Sequence, residues 1–398
     1  VNSPADSSKV CLLRLSALGD VSHLLPLIHA WRQQQPQTRL SWILGAGEAQ
    51  LLAGLEGVEL IAYRKRDGFA GMRALWRQLG GQRFDALLLM QLALRANVLS
   101  LGVKAERRIG YDRLRSREGH GGFICERIAE HGYSHVLETL CRFGEPLGVR
   151  VDELTWPFTI PAEAHAFADA MLPSGLPLLG ISPCSSHALR SWSAAGYAEL
   201  ARHAHKRHGM QVVLLGGRSD TERKMADAIL ELAPDAHCLD LVGKDTLKQM
   251  LALLSRMTAV VSPDAGPTHL ASALGVPVIG LHAATDPRRS GPYRSLQWCV
   301  NRFPGRGQAP AWTGTGAGAL EHPHRVRRRD GPDRDRRGAG HAGPAARHAG
   351  ERTPDAGAPA PGMTRGLHPP GARPDRRRPA CSHPAARTGA SRAASSAS

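Results

Sequence analysis

The sequence has no closely paired cysteines and no apolar run long enough to cross a bilayer. Its seven cysteines (Cys11, Cys125, Cys141, Cys184, Cys238, Cys299, Cys381) are scattered, without a C-x-x-C pair or zinc-ligand spacing. That scatter argues against a disulfide framework and a structural metal, and a reducing cytoplasm is the compartment that fits. Residues 1–9 run into an apolar strand without the charged, apolar and small-residue succession of a signal peptide. A soluble or at most membrane-associated protein is therefore expected. A Walker A loop is missing, and Gly216-Gly217 falls short of the full G-x-G-x-x-G spacing, which excludes a P-loop nucleotidase and weakens a dinucleotide site. No second acidic cluster accompanies Asp264 and His269, and His135, His165, His203, His205 and His208 form no ligand array. No metal and no cofactor are expected.

What is present is enough for two domains of ordinary size, at 398 residues with 42% hydrophobic content. The formal charge of +16 is unevenly placed: the first 302 residues hold 34 basic and 28 acidic side chains. From Phe303 onward there are 17 arginines, seven acidic residues and no lysine, isoleucine or tyrosine. Such a low-complexity basic tail cannot bury enough apolar surface to order itself. It reads either as a disordered arm for nucleic acid or acidic lipid, or, our preferred expectation, as out-of-frame translation of a GC-rich gene.

Between these ends, strands and helices alternate. The apolar run Val10–Leu15 leads through Ser16–Asp20 into one helix from about Val21 to Arg32. Further strands are expected at 40–44, 60–63 and 86–90, with helices at 71–79 and 95–101. The proline-marked stretch Trp156–Pro161 suits a crossover. A second alternation follows: helix 162–171, strand 178–182, helix 194–208, strand 211–215, helix 221–232, strand 239–242, helix 246–256 and strand 259–262. This predicts an α/β protein of two tandem Rossmann-like, doubly wound domains facing across a cleft, at 1–160 and 161–302, followed by an unpatterned tail at 303–398.

The polar loops at the strand ends carry the candidate chemistry. Asp20 reads as a general base near the cleft or as a helix cap. Ser185, Ser186 and Arg190 suit phosphate oxygens, although serine-rich turns are common. Asp264, Gly266, Pro267, Thr268 and His269 form either an anion cradle at a helix start or an ordinary β-α turn in which Asp264 caps the helix. The basic stretch Lys104–Arg117 is a solvated loop by default.

The combination Ser16-Ala-Leu-Gly-Asp20 with Pro26, Ser185-Ser186 with Arg190 and Trp192, Leu241–Leu247, Asp264-x-Gly-Pro-x-His269 and Thr285-Asp-Pro287 resembles the bacterial ADP-heptose:lipopolysaccharide heptosyltransferases, glycosyltransferase family nine. The resemblance covers about residues 9–302. It implies a GT-B fold with an acceptor-binding first domain and a nucleotide-sugar-binding second domain. It further implies inversion at the anomeric carbon without a required metal. On that basis Asp20 is the general base, Ser185, Ser186 and Arg190 hold the donor diphosphate, and Asp264, Gly266, Pro267, Thr268 and His269 cradle the donor. Gly216, Gly217, Lys244 and Asp245 fall in nucleotide-contacting loops, and Glu222 reaches the ribose. Arg190 stands where many relatives have lysine, and Ala265 where serine or threonine is usual.

The implied partners are ADP-heptose and a lipid-anchored core oligosaccharide, whose phosphates would suit a basic first-domain surface at the cytoplasmic face of the inner membrane. Peripheral contact with an anionic membrane fits this picture, and no nucleic-acid partner is expected. Two alternatives remain: a GT-B-like sugar-nucleotide epimerase, and a non-catalytic nucleic-acid binder acting through the basic tail.

Overall fold

The structure, a computed structural model, describes residues 8–303, all of which belong to one compact unit. The tail expected from Phe303 onward lies, beyond that residue, outside the described residues.

The first sheet is built from short apolar segments: β1 (Lys9–Leu13), β2 (Arg39–Gly45), β3 (Val58–Tyr63), β4 (Phe84–Leu89), β5 (Ala105–Gly110) and β6 (Glu126–Arg127). Every pairing is parallel, in the order β3-β2-β1-β4-β5-β6. Its helices are α1 (Leu18–Ser22), α2 (Leu25–Gln34), α3 (Ala46–Leu51), α4 (Gly68–Leu79), α5 (Leu94–Leu99) and α6 (Val136–Cys141). Residues 150–161 run without regular structure into α7 (Ala162–Met171).

The second sheet repeats the plan. Its strands are β7 (Leu178–Ile181), β8 (Gln211–Leu214), β9 (Leu239–Asp240), β10 (Ala259–Pro263), β11 (Val278–His282) and β12 (Val300–Asn301). They are again all parallel, in the order β12-β11-β10-β7-β8-β9. The helices are α8 (Ala194–His208), α9 (Asp220–Leu232), α10 (Leu247–Ser255), α11 (Gly266–Ala273) and α12 (Pro287–Ser290). Strand order reverses between β1 and β4 in one sheet and between β7 and β10 in the other, which opens a crevice at the carboxyl ends of those strands. One buried cluster runs from Leu12, Trp31 and Phe143 through Ala164 and Ala168 to Leu251, Leu254 and Val278, so the two halves share core packing.

Three sequence expectations need correction. The helix expected from Val21 to Arg32 is two helices, broken at His23-Leu24. Pro26 has no N–H to give to the Ser22 carbonyl, and the chain restarts with proline near the beginning of α2. The stretch Lys104–Arg117 is a solvated loop only in its second half, because its first half is β5. Arg108 is interior there, donating to the carbonyls of Phe123, Val103 and Ser100, while Arg107 pairs with Glu126 at 2.9 Å. Arg115 is held by buried Asp112 at 2.5 Å. Finally, Cys11, Cys141, Cys184, Cys238 and Cys299 are free thiols, but Cys125 is disulfide-bonded. Among the described residues no helix is long and apolar enough to cross a membrane.

Candidate active site

The loop after β1 places Asp20 in the first turn of α1, not ahead of a helix starting at Val21 as the capping reading required. Its Oδ2 accepts the Ala17 N–H at 3.2 Å, which suits a carboxylate at the positive end of a helix. The same oxygen lies 2.5 Å from Arg14 Nη2, and the Asp20 side chain keeps 34% of its surface exposed. Arg14 is the cation behind it, donating to the Met90 carbonyl at 2.5 Å and the Tyr111 hydroxyl at 3.2 Å. Burial alone would lower the Arg14 pKa, but Asp20 and Tyr111 outweigh it and raise it. Sequence reasoning passed over Arg14, although a lone arginine inside the apolar run Val10–Leu15 was its signal.

Across the crevice, Asp264 directly follows β10 and is 5% exposed. Burial alone would raise its pKa; His269, Arg190 and the Thr285 hydroxyl outweigh that and hold it well below the usual carboxylate range. His269 Nε2 stands 3.3 Å from Oδ1, Arg190 Nη1 3.5 Å from Oδ2, and the Ser290 hydroxyl donates to Oδ2 at 3.2 Å. The Ser185 hydroxyl donates to the Asp264 carbonyl at 2.9 Å, so the β7 and β10 loops are tied together. Ser186 is exposed beside it. Pro267 sits in the first turn of α11, and the Thr268 hydroxyl donates to the Pro263 carbonyl. Asp264 therefore does not cap α11: the N-cap is Ala265, which makes no side-chain bond.

The loops after β8 and β9 form a neighbouring group. Glu222 accepts the Gly217 N–H at 2.7 Å and the Ser219 hydroxyl at 2.6 Å, closing a capping box on α9. Both its oxygens are engaged there, and a ribose contact would compete with these bonds. The Gly243 N–H donates to the Gly216 carbonyl at 2.9 Å, and Lys244 Nζ reaches the Asp240 carbonyl at 2.7 Å. Burial pushes Asp245 up to about 6, against the opposing pull of its own backbone N–H and of Arg218.

Helix α1 of the first half packs on α11 of the second. A Cβ at Gly266 would lie 3.3 Å from Leu18 Cβ, and one at Gly19 would collide with the His269 ring, 2.9 Å from Cγ. These two glycines allow the Asp20 helix to rest against the helix carrying His269. His23 and His135 join the same junction, their rings 5.4 Å apart. No periodicity announces that grouping, since its members lie far apart in the chain.

On the first half alone, a cavity of about 800 Å³ opens at the carboxyl ends of β1 to β4. Its lining includes Ser16, Glu48, Gln91, Arg64, Lys65, Arg66 and Arg95. Cations from the β3–α4 and β4–α5 loops thus line this cavity, while Lys104, Arg113 and Arg117 of the stretch Lys104–Arg117 remain exposed elsewhere on the first half. Among the described residues no group of three or more His, Cys, Asp or Glu side chains is placed to hold a metal ion.

Two doubly wound sheets with polar loops converging on a shared crevice make the GT-B fold. The model of glycosyltransferase family 9 (heptosyltransferase) matches residues 72–310. The Haemophilus influenzae lipopolysaccharide core heptosyltransferase OpsX is 40% identical, over 74% of this chain and 84% of that protein. Among solved structures, a family 9 glycosyl transferase from Veillonella parvula aligns with a TM-score of 0.65 at 20% identity, over 74% of this chain and 85% of its own. The Escherichia coli heptosyltransferase WaaC, solved with ADP, aligns with a TM-score of 0.58 at 24% identity, over 71% and 90%. The chain belongs to glycosyltransferase family 9, the heptosyltransferases. The transferase reading stands, and the epimerase alternative falls away.

Proposed function

We propose that this heptosyltransferase of lipopolysaccharide core synthesis moves an L-glycero-D-manno-heptose unit from ADP-heptose to a hydroxyl of the inner core, inverting the anomeric carbon. The observation that carries the reading is the seating of the Asp20 helix on the helix that carries His269, next to Asp264. A base from one half and a donor carboxylate from the other then meet in one crevice.

Asp20 accepts the proton of the attacking hydroxyl while Arg14 fixes its carboxylate. The hydroxyl oxygen bonds to the anomeric carbon as the bond to the diphosphate breaks, and ADP leaves with the electron pair. Ser185, Ser186 and Arg190 bind the diphosphate and stabilise the charge that grows on it. Asp264 accepts hydrogen bonds from heptose hydroxyls, with Gly266, Pro267, Thr268 and His269 shaping the floor. Gly216, Gly217, Lys244 and Asp245 contact the nucleoside, with Glu222 at its edge. The positive charge that the reaction needs is supplied by Arg190 in this scheme, without a required metal.

The acceptor sugars occupy the cavity on the first half, where Arg64, Lys65, Arg66 and Arg95 attract core phosphates. A lipid-linked acceptor brings the enzyme to the cytoplasmic face of the inner membrane, where the same cations face anionic lipid. The test is incubation with ADP-heptose and heptose-free core lipid, followed by mass spectrometry and NMR of the new linkage. One added heptose of inverted configuration supports the reading. ADP release without product, or retained configuration, would overturn it.

A further inference from the structure

We infer that His23 is a positioning residue of the transfer reaction, clamping His269 against Gly19 so that Asp264 and Asp20 keep one relative placement across the two halves. The inference rests on the roles proposed above for those carboxylates. His269 reaches from α11 towards the first half, where the segment carrying Asp20 meets it twice. Gly19 lies against the ring, and only a residue without a Cβ fits there. His23, one turn on, stands edge-to-face with it at 4.9 Å between centroids and 77° between planes. Asp20 thus lies between two residues that touch His269.

His23 is itself held from behind. His135 meets it at 5.4 Å and 79°, and Tyr293 meets His135 at 4.9 Å. His135 Nδ1 accepts the Leu137 N–H at 3.1 Å, so its proton sits on Nε2 and is donated to the Gly291 carbonyl at 3.0 Å. The row His269, His23, His135, Tyr293 therefore crosses between the halves twice. All three histidines are buried, at 8%, 4% and 2% exposure in that order.

The clamp matters because one polar contact holds the His269 ring. Its Nε2 faces Asp264 at 3.3 Å, while its Nδ1 is buried without a hydrogen-bond partner among the described residues. Rotation about its side-chain bonds is opposed by packing against Gly19 and His23. Burial, with the other two histidines nearby, holds His23 well below its ordinary pKa. That shift favours the neutral ring, which acts through shape.

The experiment compares the full chain with His23→Ala, His23→Phe and Gly19→Ala, reading kcat, donor KM and ADP affinity by calorimetry. His23→Ala is expected to lose at least about tenfold in kcat, towards the ~100-fold cost of misplacing a reacting group by about 1 Å. ADP affinity should stay within about twofold of wild type, since Asp264 is assigned to the sugar and not the diphosphate. His23→Phe, which keeps a flat ring, should recover to within about threefold in kcat. Gly19→Ala pushes the same ring from the other side and should repeat the kcat loss with ADP affinity kept. A His23→Ala enzyme within about threefold of wild type would overturn the inference. So would ADP affinity falling in step with kcat in both alanine variants, or a phenylalanine no better than alanine. Asp20→Asn, run alongside, separates the two layers: full activity there overturns the base assignment itself, whereas its loss with normal His23→Ala kinetics overturns only the clamp.

Discussion

Asp264 and Asp245 are carboxylates of one half with opposite electrostatics, and they should respond to pH in opposite senses. The Asp264 pKa is depressed in the fold, so its contribution is present above the ordinary carboxylate value and lost as pH falls through the lowered one. Its ionisation should leave no inflection in kcat/KM between about pH 5 and 9. Asp264→Asn should cost about tenfold to a hundredfold in donor kcat/KM, the scale of a hydrogen bond to a charged group. An unchanged kcat/KM would remove Asp264 from the donor site. Asp245 is raised to about 6, which favours its protonated form in the fold. Its stabilising contribution is present below the ordinary value and lost as pH rises towards 6, so Asp245→Asn should raise the melting temperature at pH 8 and leave it unchanged near pH 4. A lower melting temperature at pH 8 would show that the carboxylate has partners stronger than its burial cost. Asp20 and the Asp264-x-Gly-Pro-x-His269 block were legible because acid, glycine and proline follow strand ends in a recognisable order. Arg14 and His23 were not, since each takes its meaning from a neighbour far away in the chain.

At the scale of elements, legibility followed the local signals. The helix expected at 194–208 appears with those bounds, because the Ser193 hydroxyl accepts the Gly196 N–H at one end and Gly209 takes a left-handed φ of 60° at the other. Central strands such as β4 and β10 were found from their apolar runs. β5 was hidden because Arg107 and Arg108 break the apolar pattern, and their charge is satisfied by Glu126, the Ser100 hydroxyl and carbonyls brought in by the fold. The strand expected at 239–242 appears as the two-residue β9, whereas β6 and β12, also of two residues, carry too little pattern to be read. The capping box of α9 is a local device with a testable value: Ser219→Ala should destabilise the protein by about 1 kcal/mol. The Gly217 loop then loses part of its support through Glu222, so nucleotide affinity should fall modestly as well. Calorimetry against ADP with a parallel melting curve checks both, and an unchanged melting temperature would contradict the cap.

At the scale of the molecule, contacts between the halves are specific and scattered. The Tyr133 hydroxyl donates to Asp286 at 2.9 Å and the Tyr293 hydroxyl to Glu138 at 3.0 Å, while Lys248 Nζ donates to the carbonyls of Ala53 and Thr159 at 2.7 and 2.5 Å. Arg294 lies over the Trp156 ring at 4.6 Å. The tandem architecture was legible from alternation alone; this joint was not, because its partners are single side chains from separate loops. Buried neutral histidines tie the assembly to pH. His120, His135 and His282 are each lowered by burial from 6.5 to about 4, so the unfolded chain binds more protons between those values. Their contribution is complete above 6.5 and lost as pH falls towards 4, on the order of 3 kcal/mol for each group. Melting temperature should therefore drop steeply over that window, and a flat profile would contradict the buried neutral assignment. The claim on which all of this depends is that Asp20 of one half deprotonates an acceptor held over the donor site of the other. The direct measurement is the single-turnover rate of heptose transfer by Asp20→Asn with ADP-heptose and core lipid saturating. A fall of about 10²-fold to 10⁴-fold with ADP affinity unchanged is the expected result, and transfer at the wild-type rate would contradict it.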